Sequence, residues 1–271
     1  MCRMLGLICN DADLLGCAIH EVRAALSVDT EELHDGVGVG YYSNDDPLLR
    51  KRPADKLSAL DPDALVDGIR SRTLLLHTRR ATVGAWKDVN THPFRFRRWL
   101  FASVGHLHGL GENRESLQAE LPPFLSRGIR GETDSELAFH LLLDSMFKEG
   151  SINDLSLPVE SLAANLRGLT KRIDEIAAQT QHEKPSYAIL VTNGQIMAAA
   201  NRGVTMHYSH REGIQQCVHG EMKDDILESH RRFKGVMLGA DMVDPGHQWR
   251  EVAAGSLLTI NQDLELKVEG L

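Results

Sequence analysis

Two helical stretches in the middle of the chain separate one group of strand-like segments from another, and that order restricts the folds open to it. SELAFHLLLDSMFK, residues 135–148, and residues 159–180 both carry apolar side chains at three- and four-residue spacing. Before them, RMLGLIC (3–9) and TLLLHTR (73–79) read as buried strands, and WLFASVGHLHG (99–109) as a strand that breaks near Gly105. After them, SYAILVTNGQIMAAANR (186–202) reads as a hairpin around Asn193-Gly194. GVMLGADMV (235–243) adds a strand, and SLLTINQDLELKV (256–268) a hairpin turning at about Gln262-Asp263. Strands at both ends with helices between predict a layered α+β body.

Three further segments refine that outline. DPDALVDGIRS (61–71) predicts a short helix with Asp61 as N-cap and Pro62 at its first position. DGVGVGYYS (35–43) lacks the G-x-G-x-x-G spacing of a phosphate loop, and no helical pattern follows it. It is expected to be a strand whose small residues let another backbone pass close. The polar run HREGIQQCVHGEMKDD (210–225) is expected to be a mobile surface segment.

At 271 residues and 42% hydrophobic, the chain is expected to form a single domain over 1–271 with a sizeable core. A formal charge of -8 argues against nucleic acid or an anionic membrane as partner, since either selects a basic face. Cysteines at 2, 9, 17 and 217 show no CxxC spacing, which predicts neither a disulfide framework nor a zinc knuckle. No charged n-region precedes an apolar run and the apolar runs are strand-sized, so neither a signal peptide nor a membrane helix is expected. The expected location is the reducing cytoplasm.

Four stretches hold polar residues that strand or turn geometry would make convergent. Cys2 follows the initiator Met, and cysteine is small enough for an aminopeptidase to remove Met1. Its thiol, titrating near ~8.5, would then sit beside its own α-amine, near ~8, which could serve as its base. In HTRRATVG (77–84) a strand ends in two arginines, and strand alternation lets only one of Arg79 and Arg80 face a given pocket. NTHPF places Asn90, Thr91 and His92 in a turn before Pro93. In GETDSELAF, either Thr133 or Asp134 is placed to cap the following helix. HLH (His106, Leu107, His108) with His92 or His77 offers a rival reading as a metal site, without a convincing acidic or cysteine ligand.

MCRMLG, HTRRAT, NTHPF, FASVG and GETDSE, in that order, resemble the signature of the class II glutamine amidotransferases, whose nucleophile is an N-terminal cysteine. A later Trp249, Glu251-Val252, Gly255 and LLTI (257–260) are similar to the closing strands of small stand-alone members, some of which cleave γ-glutamyl amides in thiol metabolism. The resemblance implies a four-layer α/β/β/α sandwich of the N-terminal-nucleophile hydrolase type. It implies hydrolysis of glutamine or a substituted γ-glutamyl amide through a Cys2 thioester, with no metal or organic cofactor. Cys2 would be the nucleophile and Gly105 would donate its N–H to the oxyanion. Arg79 would pair with the substrate carboxylate and Asp134 with its ammonium, supported by Thr82 and Thr133. Any synthetase receiving ammonia would be a separate subunit, and association with a second copy is left open.

The chain departs from the family pattern where H-N-G becomes Ser103-Val104-Gly105, which removes a side-chain oxyanion donor. One such donor is worth about 2.7–4 kcal/mol. His106 is the nearest replacement if the strand stays regular. The usual D-G-W-G is DGVG here, and Val83 follows Thr82. The alternative is therefore a catalytically degenerate protein of the same fold that binds a γ-glutamyl ligand or a partner without turnover.

Overall fold

The structure, a computed structural model, describes residues 2–26, 36–53, 62–79, 87–179, 185–218 and 224–271. In chain order its elements are β1 (Arg3–Cys9), α1 (Leu15–Leu26), β2 (Gly36–Ser43), β3 (Asp46–Pro53), α2 (Pro62–Val66), β4 (Thr73–Arg79), β5 (Phe94–Phe96) and β6 (Trp99–His106). These are followed by α3 (Arg114–Glu120), α4 (Pro123–Ser126), α5 (Asp134–Lys148) and α6 (Val159–Ala178). The last third holds β7 (Ser186–Thr192), β8 (Met197–Asn201), β9 (Met206–Glu212), α7 (Asp224–Arg232), β10 (Lys234–Ala240), β11 (Arg250–Val252), β12 (Ser256–Ile260) and β13 (Leu266–Gly270). One sheet runs β11-β9-β10-β1-β4-β2-β3 and the other β13-β12-β8-β7-β6-β5, with antiparallel pairing throughout both.

Side-chain alternation turns the two sheets into four layers. In β1, Leu5, Leu7 and Cys9 face α1, packing with Leu15, Ile19 and Val22, whereas Met4 and Ile8 face the second sheet. In β7, Tyr187, Ile189 and Val191 face α5 and α6, whereas Ala188 and Leu190 face the first sheet. Each sheet is thus covered on both faces, by helices outside and by the other sheet inside. That is why antiparallel strands such as TLLLHTR read as continuous apolar runs rather than as alternating ones. The expected α/β/β/α sandwich is present.

Most predicted elements fall where the pattern puts them, including β1, β4, α5, α6 and the hairpin β7–β8. The Asp61 cap predicted for α2 lies outside the described residues. One expectation is corrected. Residues 210–218 of the presumed mobile segment are held in place, because His210 to Glu212 belong to β9, between β10 and β11. There the Arg211 guanidinium forms a buried ion pair with Glu21 of α1, and the same carboxylate accepts the Gln216 N–H at 3.1 Å. A polar run can be well anchored when its charges pair with a neighbouring helix.

The glycines of β2 set the spacing between the sheets. Val37 and Val39 face α1, so Gly36, Gly38 and Gly40 face the second sheet. A Cβ at Gly38 would run into the carbonyl oxygen of His92, and one at Gly40 would lie 2.8 Å from Leu100 Cδ1. The strand with small residues expected from DGVGVG is present, and the close backbone is the His92-Pro93 segment. Asp35, which opens that motif, lies outside the described residues.

Gly38→Ala is expected to destabilise the fold by at least about 1–3 kcal/mol, because backbone has to move to admit the methyl group. Gly168→Ala, in mid-α6 with nothing within 4 Å of the added carbon, is expected to stabilise it by about 0.5–1 kcal/mol. Paired urea titrations of the two variants read the difference.

Candidate active site

Three strand ends and one helix start meet at a cavity of about 620 Å³. β1 begins at it, while β4 and β6 run into it. The register between β1 and β4 pairs Arg3 with Thr78, and continuing it by one residue sets Cys2 beside Arg79. Alternation decides which side chains enter. Met4 of β1 and Leu75 of β4 face the inter-sheet layer, so Cys2, His77 and Arg79, at even spacing from them, face the same way. Of the residues predicted from sequence, Cys2, Arg79, Gly105, His106, Thr133 and Asp134 all line the cavity. Thr82 and Arg80 lie outside the described residues.

Gly105 has φ +92°, and a Cβ there would run into the Ser186 carbonyl oxygen and lie 2.8 Å from Tyr187 Cα. Only glycine fits this approach to β7. This left-handed residue lies within β6, which stays paired with β7 through His106. Val104 is 3% exposed and packs between the sheets, offering no donor to the cavity, whereas His106 is exposed at the cavity wall with its ring stacked 5.4 Å from that of His108. The HLH metal reading gains no support, because among the described residues His77, His92, His106 and His108 do not bring three donors together.

The choice of cap for α5 is resolved in favour of Thr133. Its Oγ1 accepts the Glu136 N–H at 3.2 Å, which leaves Asp134, at the first helical position, facing the cavity. Burial pushes the Asp134 carboxyl above the usual carboxylate range, and the Arg114 guanidinium opposes that shift. Arg114 also donates to the carbonyls of Gly131 (2.6 Å) and Thr133 (3.3 Å), bracing the loop that leads into the helix. Arg79, 4% exposed, supplies the opposite charge to the same cavity. The cavity therefore presents a thiol flanked by one cationic and one anionic group, an arrangement suited to a zwitterionic head group.

Most of the residues that hold this geometry stand in the convergent stretches, but the sequence assigns them no clamping role. His77 Nε2 lies 3.1 Å from the Ser103 carbonyl, so the imidazole donates across from β4 to β6 and ties the two sheets two residues short of Arg79 and Gly105. Ser103 Oγ donates to Ser135 Oγ at 2.8 Å, joining β6 to the start of α5. Asn90, fully buried, accepts the Glu132 N–H at 2.8 Å, and Glu136 accepts the N–H groups of Arg130 (3.0 Å) and Gly131 (2.6 Å). NTH and TDSE are thus two sides of one clamp. The His92 ring packs tilted against that of His77 with centroids 4.1 Å apart, and burial, reinforced by His77, Lys51 and Arg79, drives its pKa well below the ordinary imidazole value. It is a neutral packing residue at physiological pH. The signal for these roles was residue type: a buried polar side chain demands a partner, and Asn, Ser and Glu in short loops find backbone ones.

The chain matches the family described as glutamine amidotransferases class-II over residues 1–267. It is 23% identical over 250 residues to the Saccharomyces cerevisiae protein named "Probable glutamine amidotransferase DUG3", covering 84% of this chain and 70% of that one. It is 33% identical over 136 residues to the glutamine–fructose-6-phosphate aminotransferase of Pseudomonas aeruginosa, covering 50% of this chain but 21% of that enzyme. Among solved structures, a predicted glutamine amidotransferase from Pseudomonas aeruginosa superposes with a TM-score of 0.61 at 20% identity, covering 98% of both chains. The PRPP amidotransferase of B. subtilis superposes with a TM-score of 0.54 at 15% identity, over 99% of this chain and 49% of that one. Among the described residues no helix is long and apolar enough to cross a membrane. The sandwich fold, the ordered motifs that converge on one cavity and the family match over nearly the whole length agree: the chain belongs to the class II glutamine amidotransferases.

Proposed function

We propose that this chain hydrolyses a γ-glutamyl amide through a thioester on Cys2. The observation that carries the reading is the grouping of Cys2, Arg79 and Asp134 on the walls of one cavity. With Met1 removed, the Cys2 α-amine takes the thiol proton and the sulfur attacks the γ-carbonyl carbon. The oxyanion of the tetrahedral adduct accepts the Gly105 N–H. The C–N bond then breaks, the leaving nitrogen takes the proton held by the α-amine, and water cleaves the thioester to return the thiol and release glutamate. Arg79 holds the α-carboxylate in a bidentate pair, and Asp134 holds the α-ammonium. A substrate lacking either charge leaves a buried partner unpaired, which is the basis of selection for a glutamyl head group. Thr133 acts indirectly, by capping α5 and so aiming Asp134.

With Val104 turned into the inter-sheet layer, the second oxyanion donor has to come from elsewhere, and we assign it to His106, an exposed residue of the cavity lining. His106→Phe is expected to lower kcat by roughly a hundred- to thousandfold with little change in KM. An unchanged kcat would remove His106 from the chemistry. Val104 is also the observation that favours the second reading, a binder without turnover.

Alkylation separates the two. A γ-glutamyl diazoketone is expected to add once, at Cys2 of a chain that has lost Met1, and not to add to Cys2→Ala. An intact mass that retains Met1, or a processed chain left unmodified, would instead support the binder.

Asp134 gives the reading a pH signature. Burial raises its carboxyl, so the anionic form that binds an ammonium is lost as pH falls through a value higher than that of an ordinary carboxylate. KM for the amide substrate is therefore expected to rise on acidification. In Asp134→Asn the rise disappears, and kcat/KM falls by about 2 kcal/mol or more, roughly thirtyfold, where the wild-type carboxyl is ionised, the difference shrinking on acidification. Steady-state kinetics across the acid limb would refute the assignment if the variant kept the wild-type profile.

A further inference from the structure

Away from the cavity, on the helical side of the first sheet, the fold brings together two cysteines that lie two hundred positions apart in sequence. Cys17 of α1 and Cys217, in the segment after β9, have their sulfur atoms 3.3 Å apart. His230 of α7 completes a group whose three donor atoms all lie within 4.8 Å of one another. Cys17 and His230 are buried and Cys217 is partly so, and all the cysteines are free thiols. The separation is more than an ångström longer than a disulfide bond of about 2.05 Å. It is roughly half an ångström short of the sulfur spacing that two bonds of about 2.3 Å make at a tetrahedral zinc.

The three elements are held in position independently of this group. Glu21, one helical turn beyond Cys17, accepts the Gln216 N–H and pairs with Arg211, which pins the segment ending in Cys217 against α1. The Ile214 N–H donates to the His230 carbonyl at 3.0 Å, and the Gly213 N–H to the Phe233 carbonyl at 2.9 Å, so the same segment is also tied to the end of α7. The Val218 backbone N–H donates to Cys17 Sγ, tying the same segment to α1. Ser229 Oγ lies 3.4 Å from His230 Nδ1, an outer contact that orients an imidazole for ligation through Nε2.

We propose that Cys17, Cys217 and His230 form a zinc site. Two thiolates and one neutral imidazole are a donor set that thiophilic metal ions prefer, and zinc accepts it with a fourth position left to water. Binding displaces the two thiol protons to solvent, and no electron is transferred. The site lies on the opposite side of the first sheet from the catalytic cavity, so its role is to cross-link α1, the segment after β9 and α7.

Cobalt serves as the optical probe. Chelator-treated, reduced protein titrated with Co2+ is expected to bind one equivalent, with a thiolate-to-cobalt charge-transfer band and the visible bands of a tetrahedral site, both displaced by Zn2+. Cys2→Ala is expected to keep these bands, and Cys17→Ser and Cys217→Ser to lose them. His230→Gln is expected to weaken binding at least tenfold. Because Cys17 is buried, the partly exposed Cys217 provides the variant that keeps the test decisive. Zinc is expected to raise the melting temperature of the wild-type chain and not that of Cys217→Ser. No thiolate band, or a band that survives Cys217→Ser, would overturn the proposal. So would an intact mass lower by two hydrogens in protein purified without reductant, with no metal bound, since that marks a disulfide.

Discussion

The close approach of the two sheets where β2 and β4 cross β6 is the constraint on which the rest of the structure depends. It needs a face without side chains, which the glycines of β2 provide, and the His92 carbonyl occupies the space a Cβ at Gly38 would take. The approach lets His77 donate from one sheet to the Ser103 carbonyl of the other. A hydrogen bond between two buried groups, one on each sheet, is little exposed to competing water and fixes the register of one sheet over the other. Arg79 and Gly105 follow two residues later on their strands, so the same contact that closes the core also sets the width of the cavity.

The cavity is then assembled by alternation and capping rather than by any one loop. Cys2, just before the central strand β1, offers its sulfur to the inter-sheet side because Met4 and Ile8 face that side too. Thr133 takes the cap, so Asp134 is left to face inward. The helix start is anchored from below by Asn90, Glu136 and Arg114, all of which satisfy backbone groups of the loop before it. Placing ionisable groups on a scaffold this rigid has an electrostatic consequence: burial raises Asp134 and lowers His92, so the environment and not the residue type sets each charge.

The strands with long apolar runs and the two central helices were legible in the sequence because each is buried on a face that repeats with its own period. The α1 helix was passed over although Leu15, Ala18, Ile19, Val22, Ala25 and Leu26 recur at helical spacing. β3 and β9 carry polar or charged residues and show no strand pattern in sequence, since edge and near-edge strands bury too little for a strong one, and β11 is legible only through its likeness to the family's closing strands. The segment after β9 was read as mobile from its polarity. The Glu21–Arg211 pair that anchors it joins residues far apart in the chain, and no local pattern reports such a partner.

By itself the sequence determined the layered class, the strands that carry the site and the identity of the residues that face it, because local period and ordered motifs survive without coordinates. It also marked Val104 as a position with nothing to donate. Only the tertiary structure decided that Thr133 and not Asp134 caps α5, that His77, Ser103 and Asn90 clamp the cavity, and that Gly105 turns His106 out to its wall. Only the tertiary structure brought Cys17, Cys217 and His230 together. The physical reason is the same in each case: hydrogen-bond partners, left-handed backbone and donor clusters are relations between elements, and they come into being when the layers pack.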